Sequence, residues 1–180
     1  MNILAFDTET TDVVKFGRPL EDQPYIVELA MVLIDEQYNE LETFDELMKP
    51  PVGIEAGAEK ASGITNEMVA DKQPFIHFYP KIHELFHKAD LIIAHNARFD
   101  RDMIMFEVAR NNKAMDWDID DKTYFCTLDK ARQMYPHASN HKLETLHKEL
   151  CDHRTEQTHR ALDDVRLLID VYRKMCDGEL

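Results

Sequence analysis

Three short acidic segments give this chain the means to do chemistry. Asp7 and Glu9 are two apart, directly after a short apolar run at residues 2–6. In extended chain, positions i and i+2 point to one side, so both carboxylates face the same way. Two like charges so close raise one pKa unless a cation sits between them. The second segment is His95-Asn96-Ala97-Arg98-Phe99-Asp100, after another apolar run, and the third is His159-Arg160-Ala161-Leu162-Asp163-Asp164. Taken one at a time, each has a structural reading. The first is a solvated strand end. The second is a helix start, with Asn96 as N-cap and Asp100 favoured by the helix dipole. Taken together, they offer four carboxylates and a histidine. Magnesium prefers such oxygen ligands. Two such ions about 4 Å apart can clamp an in-line phosphoryl displacement. Histidine titrates near neutrality, so it can take a proton from an attacking water.

In the third segment, helix geometry discriminates between the two aspartates. Ala161, Leu162, Val165, Leu168, Ile169 and Tyr172 form one apolar stripe. At about 100° per residue, Asp163 falls roughly 160° from the stripe centre and faces water. Asp164 falls roughly 100° away, on the flank of the buried face, although Leu167 also falls off the stripe. The same geometry turns His159 away from the stripe, which places it just before the regular helix.

The elements that must position these residues follow from pattern. Residues 2–6, 25–34 and 90–94 read as buried strands. Residues 13–24 and 50–73 hold prolines and glycines and read as loops, the second with one or two short helices. Pro74 opens a helix with Phe75, Phe78, Ile82, Leu85 and Phe86 on its apolar face. A helix is expected from about 98 to 110, a short strand at 123–127, and helices near 127–134, 142–150 and 159–176. Residues 41–48 stay open: Leu41, Phe44 and Leu47 have helical spacing, whereas the short preceding turn suits a hairpin partner. Strands alternating with helices, with no visible linker, indicate a single α/β domain over residues 1–180.

The order and separation of the acidic segments resembles the DEDDh branch of the DEDD 3′–5′ exonuclease superfamily, which includes the proofreading subunit of bacterial replicative DNA polymerase. Its three motifs match Asp7-Thr8-Glu9-Thr10-Thr11, His95 through Asp100, and His159 through Asp164. The family's histidine-to-aspartate spacing also selects Asp164. Weaker matches are Ile26 through Ala30, Ala61 through Thr65, Cys126 through Asp129 and His141 through Leu146. The resemblance implies a ribonuclease-H-like fold, a mixed five-stranded sheet flanked by helices, and so makes residues 41–48 a strand. It implies two magnesium or manganese ions on Asp7, Glu9, Asp100 and Asp164, with His159 as general base. It places Thr8, Thr10, Thr11, His95, Asn96 and Phe99 near the terminal nucleotide. Nucleoside 5′-monophosphates would be released from 3′ ends of single-stranded DNA. Trimming of RNA ends and a catalytically silent interaction module are the alternatives. Two departures stand out: Asp12 where the family commonly has Gly, and Ser62 where many members have His.

Composition bounds these readings. With 44% hydrophobic and 31% charged residues, the chain has an ordinary globular make-up. No apolar run approaches the ~18 residues of a membrane span, and the first run is too short for a secretory signal. Cys126, Cys151 and Cys176 are far apart and form no C-x-x-C, which fits a reducing cytoplasm. The formal charge of −14 runs against the basic footprint usual for tight nucleic-acid binding. Weak, distributive contact with nucleic-acid ends is expected, unless a polymerase or other replication partner supplies affinity. His83/His87 and His137/His141 share an i, i+4 spacing but lack evident acidic or thiol partners. Trp117, among acidic residues, reads as local packing.

Overall fold

A computed structural model describes residues 1–113, 122–151 and 160–178. His159 and Trp117 lie outside the described residues. The strands are β1 (Ile3–Thr10), β2 (Ile26–Ile34), β3 (Glu40–Leu47), β4 (Leu91–Ala94) and β5 (Thr123–Cys126). They form one sheet in the order β3-β2-β1-β4-β5. β2 runs antiparallel to β1 and β3, while β4 and β5 run parallel to β1. This is the mixed, ribonuclease-H-like sheet that the sequence resemblance implied.

The helices are α1 (Ala56–Ser62), α2 (Asn66–Val69), α3 (Phe75–Lys88), α4 (Ala97–Arg110), α5 (Thr127–Met134), α6 (Leu143–Cys151) and α7 (Ala161–Asp177). None of the described helices is long and apolar enough to cross a membrane.

β1 lies at the centre of the sheet, so both of its faces are covered and its side chains alternate between two cores. Leu4 and Phe6 join Ile82 and Leu85 of α3 and Met103 and Ile104 of α4. Ile3 and Ala5 join Val165, Leu168 and Tyr172 of α7. The strand runs on to Thr10, longer than its apolar run suggested. Asp7 and Glu9 therefore sit within β1 rather than past its end, and they continue the face that meets α7. Thr8 and Thr10 continue the face that meets α4.

Residues 41–48 fold as strand, against their helical spacing. Asp35 builds the preceding turn by accepting hydrogen bonds from the backbone N–H of Gln37 (2.8 Å) and Asn39 (2.9 Å). That turn returns the chain alongside β2, where Phe44 pairs with Met31. Phe44 is the only residue of β3 that is fully buried, while Leu41 is exposed. The apparent stripe was thus one core residue with apolar neighbours on an exposed edge, which Glu40, Glu42, Asp45 and Glu46 keep charged. On α7, Leu167 is buried despite falling off the stripe, Asp163 is half-buried, and Asp164 is buried.

Candidate active site

The alternation of β1 and the first turns of two helices assemble the acidic site. Asp7 and Glu9 project from one face of β1 toward α7, and Asp164 stands in the first turn of α7. One carboxylate oxygen from each of Asp7, Glu9 and Asp164 lies within 4.8 Å of the other two. A register shift between Glu9 and Thr10 marks a bulge in the pairing with β2 at this point. Bulges re-aim side chains next to sites of this kind.

Asp100 arrives from the opposite side. β4 ends at Ala94, and Asn96 takes a left-handed conformation (φ 72°) that turns the chain into α4. Asn is among the few residues that adopt this conformation readily. Asp100 then falls in the first turn of α4 and is 2% exposed. Its Oδ1 accepts hydrogen bonds from the hydroxyl (2.7 Å) and the backbone N–H (3.1 Å) of Thr8. Thr8 lies between Asp7 and Glu9, so this tether brings Asp100 beside them.

The electrostatics of the four groups follow from burial and mutual repulsion. Burial, then the charges of Asp100, Glu9, Asp164 and Glu28, push Asp7 well above the usual carboxylate range. Burial, then Asp164, Glu28 and Asp100, push Glu9 up to about 8, with Arg160 opposing. Burial pushes Asp100 up to about 7, against the hydrogen bonds from Thr8. Without a cation, such a cluster holds protons near neutral pH. The donors are all hard oxygens, which suit Mg²⁺ or Mn²⁺ better than a soft metal. The residues therefore fit a divalent cation site.

The residues expected near a terminal nucleotide, through backbone or side chain, divide into two groups. Thr8, Thr10 and Thr11 are buried and turned into the protein. Thr10 Oγ1 donates to the carbonyl of Asp12 at 2.7 Å, and Thr11 Oγ1 accepts from the N–H of Tyr25 at 3.0 Å. They shape the turn after β1. His95, Asn96 and Phe99 line open clefts. His95, Asn96, Arg132, Lys142, Asp7 and Asp164 line one of about 570 Å³. Val13, Phe16, Asn96 and Phe99 line a neighbouring one of about 530 Å³, so Asn96 borders both. Burial pushes His95 down to about 4, against a hydrogen bond to the backbone of His141. Its Nδ1 also lies 3.0 Å from Thr127 Oγ1. Neutral His95 thus ties the β4–α4 turn to α5 and to the loop before α6.

At the two departures from the family pattern, Asp12 and Ser62 each complete a turn. Asp12 accepts from the N–H of Val13 at 2.8 Å and pairs with Lys15 at 3.2 Å. Its backbone is not left-handed, so the turn places no demand for glycine there. Ser62 is buried, donates to the carbonyl of Ala58 at 3.0 Å and accepts from the N–H of Ile64 at 3.2 Å.

Sequence reading missed Glu28. It lies on β2 directly opposite Glu9 and is 1% exposed. Its Oε1 accepts from Arg160 Nε at 2.8 Å and also contacts Arg160 Nη2, while its Oε2 accepts from the N–H of Ala161 at 3.0 Å. The available signal was a lone charge inside the apolar run 25–34, since a buried charge requires partners.

Comparison with known proteins identifies the family. The exonuclease family model matches residues 4–172. The DNA polymerase III subunit epsilon of Pasteurella multocida is 33% identical, with 98% of this chain and 68% of that protein aligned. The nuclease domain of 3′hExo, a DEDDh family member solved with rAMP, superposes with a TM-score of 0.77 at 16% identity, over 98% of this chain and 92% of that one. E. coli Exonuclease I in complex with a dA16 oligonucleotide gives 0.78 at 24% identity, over 98% of this chain and 41% of that one. With a family model spanning nearly its whole length, the chain belongs to the exonuclease family.

Proposed function

We propose that this protein is a 3′–5′ exonuclease that releases nucleoside 5′-monophosphates from single-stranded DNA ends. The observation that carries the reading is the convergence of Asp7, Glu9 and Asp164 within 4.8 Å, with Asp100 tethered beside them through Thr8. Asp7, Glu9, Asp100 and Asp164 would hold two divalent cations, Mg²⁺ or Mn²⁺. When bound, such ions neutralise charge on phosphoryl oxygens and make water a better nucleophile.

The remaining work falls to the chain itself. A ring nitrogen of His159, next in sequence to Arg160, receives the proton of the attacking water. Asn96 and Phe99, on the rims of the two clefts, border the place of the terminal nucleotide. Arg132 and Lys142, which line the larger cleft together with Asp7 and Asp164, supply positive charge for a phosphate. Few basic groups line this cleft, which fits weak, distributive binding by a chain of net charge −14. The epsilon relative is named as a DNA polymerase III subunit. By extension, this chain would gain affinity by association with a replicative polymerase, in the cytoplasm.

The test is incubation of the purified protein with 3′- and 5′-labelled DNA and RNA oligonucleotides in magnesium. Shortening of DNA from the 3′ end, abolished by chelator, is expected. Faster shortening of matched RNA would replace the DNA substrate by RNA. No chelator-sensitive shortening of either would reject the proposal.

A further inference from the structure

β2 contains a single charged residue in an otherwise apolar strand, and that residue touches the acidic site without joining it. Glu28 stands opposite Glu9 in the antiparallel register, so its side chain leaves the sheet on the same face. A carboxylate there could serve as a further metal ligand. Its oxygens are instead taken by three donors at the start of α7: two nitrogens of the Arg160 side chain and the N–H of Ala161. Arg160 is the N-cap residue, and its side chain makes no cap bond. Ala161 N–H is one of the orphan donors that every helix start must satisfy. Glu28 satisfies it from another element, and the helix dipole favours the negative charge at that end.

We infer that Glu28 is a positioning residue, which fixes the first turn of α7 against β1 and so sets where Asp164 meets Asp7 and Glu9. The mechanical link is short. The Arg160 carbonyl accepts from the N–H of Asp164 at 3.1 Å, so clamp and ligand are one helical turn apart. Arg160 also follows His159 directly in sequence, so the same clamp anchors the residue next to the proposed base. The Arg160 cation balances Glu28 and keeps a fifth carboxylate out of the cluster; it also opposes the rise in the pKa of Glu9. The charges of Asp45 and Asp163 act on Arg160 as well, after that of Glu28.

The inference rests on the cluster being the metal site of an exonuclease, and its test separates the two. Manganese binding is measured by calorimetry, and kcat and KM on a 3′-labelled oligonucleotide, for the full chain and for Glu28→Ala, Glu28→Gln and Arg160→Ala. Misplacing a reacting group by about 1 Å costs roughly 10²-fold in rate. Glu28→Ala should therefore lower kcat by roughly that factor while KM stays within about two-fold, and it should weaken manganese binding. Glu28→Gln keeps an acceptor for the N–H of Ala161 and should recover about ten-fold of the lost kcat. Arg160→Ala should lower kcat in the same direction. Its loss should not add to that of Glu28→Ala in the double variant, because the two residues form one unit.

A Glu28→Ala protein with a lower melting temperature but unchanged kcat and manganese binding would overturn the inference. So would a loss of manganese binding that Glu28→Gln does not relieve, because that pattern marks a direct ligand. If Glu28→Ala does not fold, wild-type kcat in both Glu28→Gln and Arg160→Ala would overturn it equally. A wild-type chain that cleaves nothing would reject the exonuclease proposal. The manganese comparison between wild type and variants would still judge Glu28.

Discussion

Asp100 and Asp164 each stand in the first turn of a helix and approach the same strand, but the two helices are secured in different ways. On the α4 side the tether falls on the acidic residue itself: Thr8 donates twice to Asp100 Oδ1. On the α7 side it falls on the helix start, where Glu28 grips Arg160 and Ala161. The difference shows in the charge balance. Hydrogen bonds from Thr8 favour ionised Asp100 and offset part of its burial. Glu9, which faces α7, is repelled most by Asp164 and then Glu28, and the Arg160 cation opposes them. One flank is preorganised by neutral donors, whereas the other carries more repulsion between carboxylates.

Asp7 belongs to both flanks, so its replacement should have the largest effect. Asp7→Asn preserves size but removes the charge that both sides share. Activity on a 3′-labelled oligonucleotide should fall by at least about 10³-fold, and manganese binding should weaken. In metal-free buffer the same variant should melt higher than wild type, because one repelling carboxylate is gone. Digestion at the wild-type rate would break the ligand assignment, and with it the idea that the two flanks meet at Asp7.

Thr8→Val probes the α4 flank alone. It removes the 2.7 Å hydroxyl bond and leaves the backbone N–H bond in place. Activity should drop by roughly ten-fold, in line with one lost charge-assisted hydrogen bond. A sharper readout is the pH profile. The Thr8 bonds lower the pKa of Asp100, so losing one should raise it. The acidic limb of kcat/KM should then move to higher pH. An unmoved limb would show that Thr8 does not tune Asp100.

The two flanks also differ in how far the sequence revealed them. Strand alternation put Asp7 and Glu9 on one side and helix spacing favoured Asp164 over Asp163, whereas Asp100 came from the family resemblance; the structure brings the four carboxylates together at one end of β1. The tethers were not legible. Thr8–Asp100 and Glu28–Arg160 join residues 92 and 132 positions apart, and no local periodicity encodes such pairs. Residues 41–48 stayed open by pattern for a related reason, and only the family resemblance made them a strand. Their apolar spacing is local, but the strand owes its existence to pairing with β2. The turn after β1 shows the reverse case: Thr10 and Thr11 sit in the motif, yet their hydroxyls serve the backbone at Asp12 and Tyr25.

Thermal stability offers the smallest effect and the finest discrimination between the flanks. Glu9 rises from 4.5 to about 8 on folding, and Asp100 from 3.8 to about 7. A carboxyl group whose pKa is higher in the folded state binds more protons there than when unfolded. Its contribution is thus greatest below the unfolded pKa and declines as pH rises toward the folded value. Metal-free protein should lose stability from about pH 3.8, where unfolded Asp100 begins to titrate, to about pH 8. Bound magnesium stabilises the ionised form, so the gain in melting temperature on adding it should grow across that window, by about 5 °C in all. Glu9→Gln should shrink the upper part of the window, because Glu9 titrates above Asp100. Asp100→Asn should shrink that upper part only a little, because Asp100 is the smallest of the repulsions that raise Glu9. A magnesium-induced shift independent of pH would mean that neither flank carries the repulsion a cation relieves. A shift ending near pH 7 in wild type would place the load on the α4 side instead.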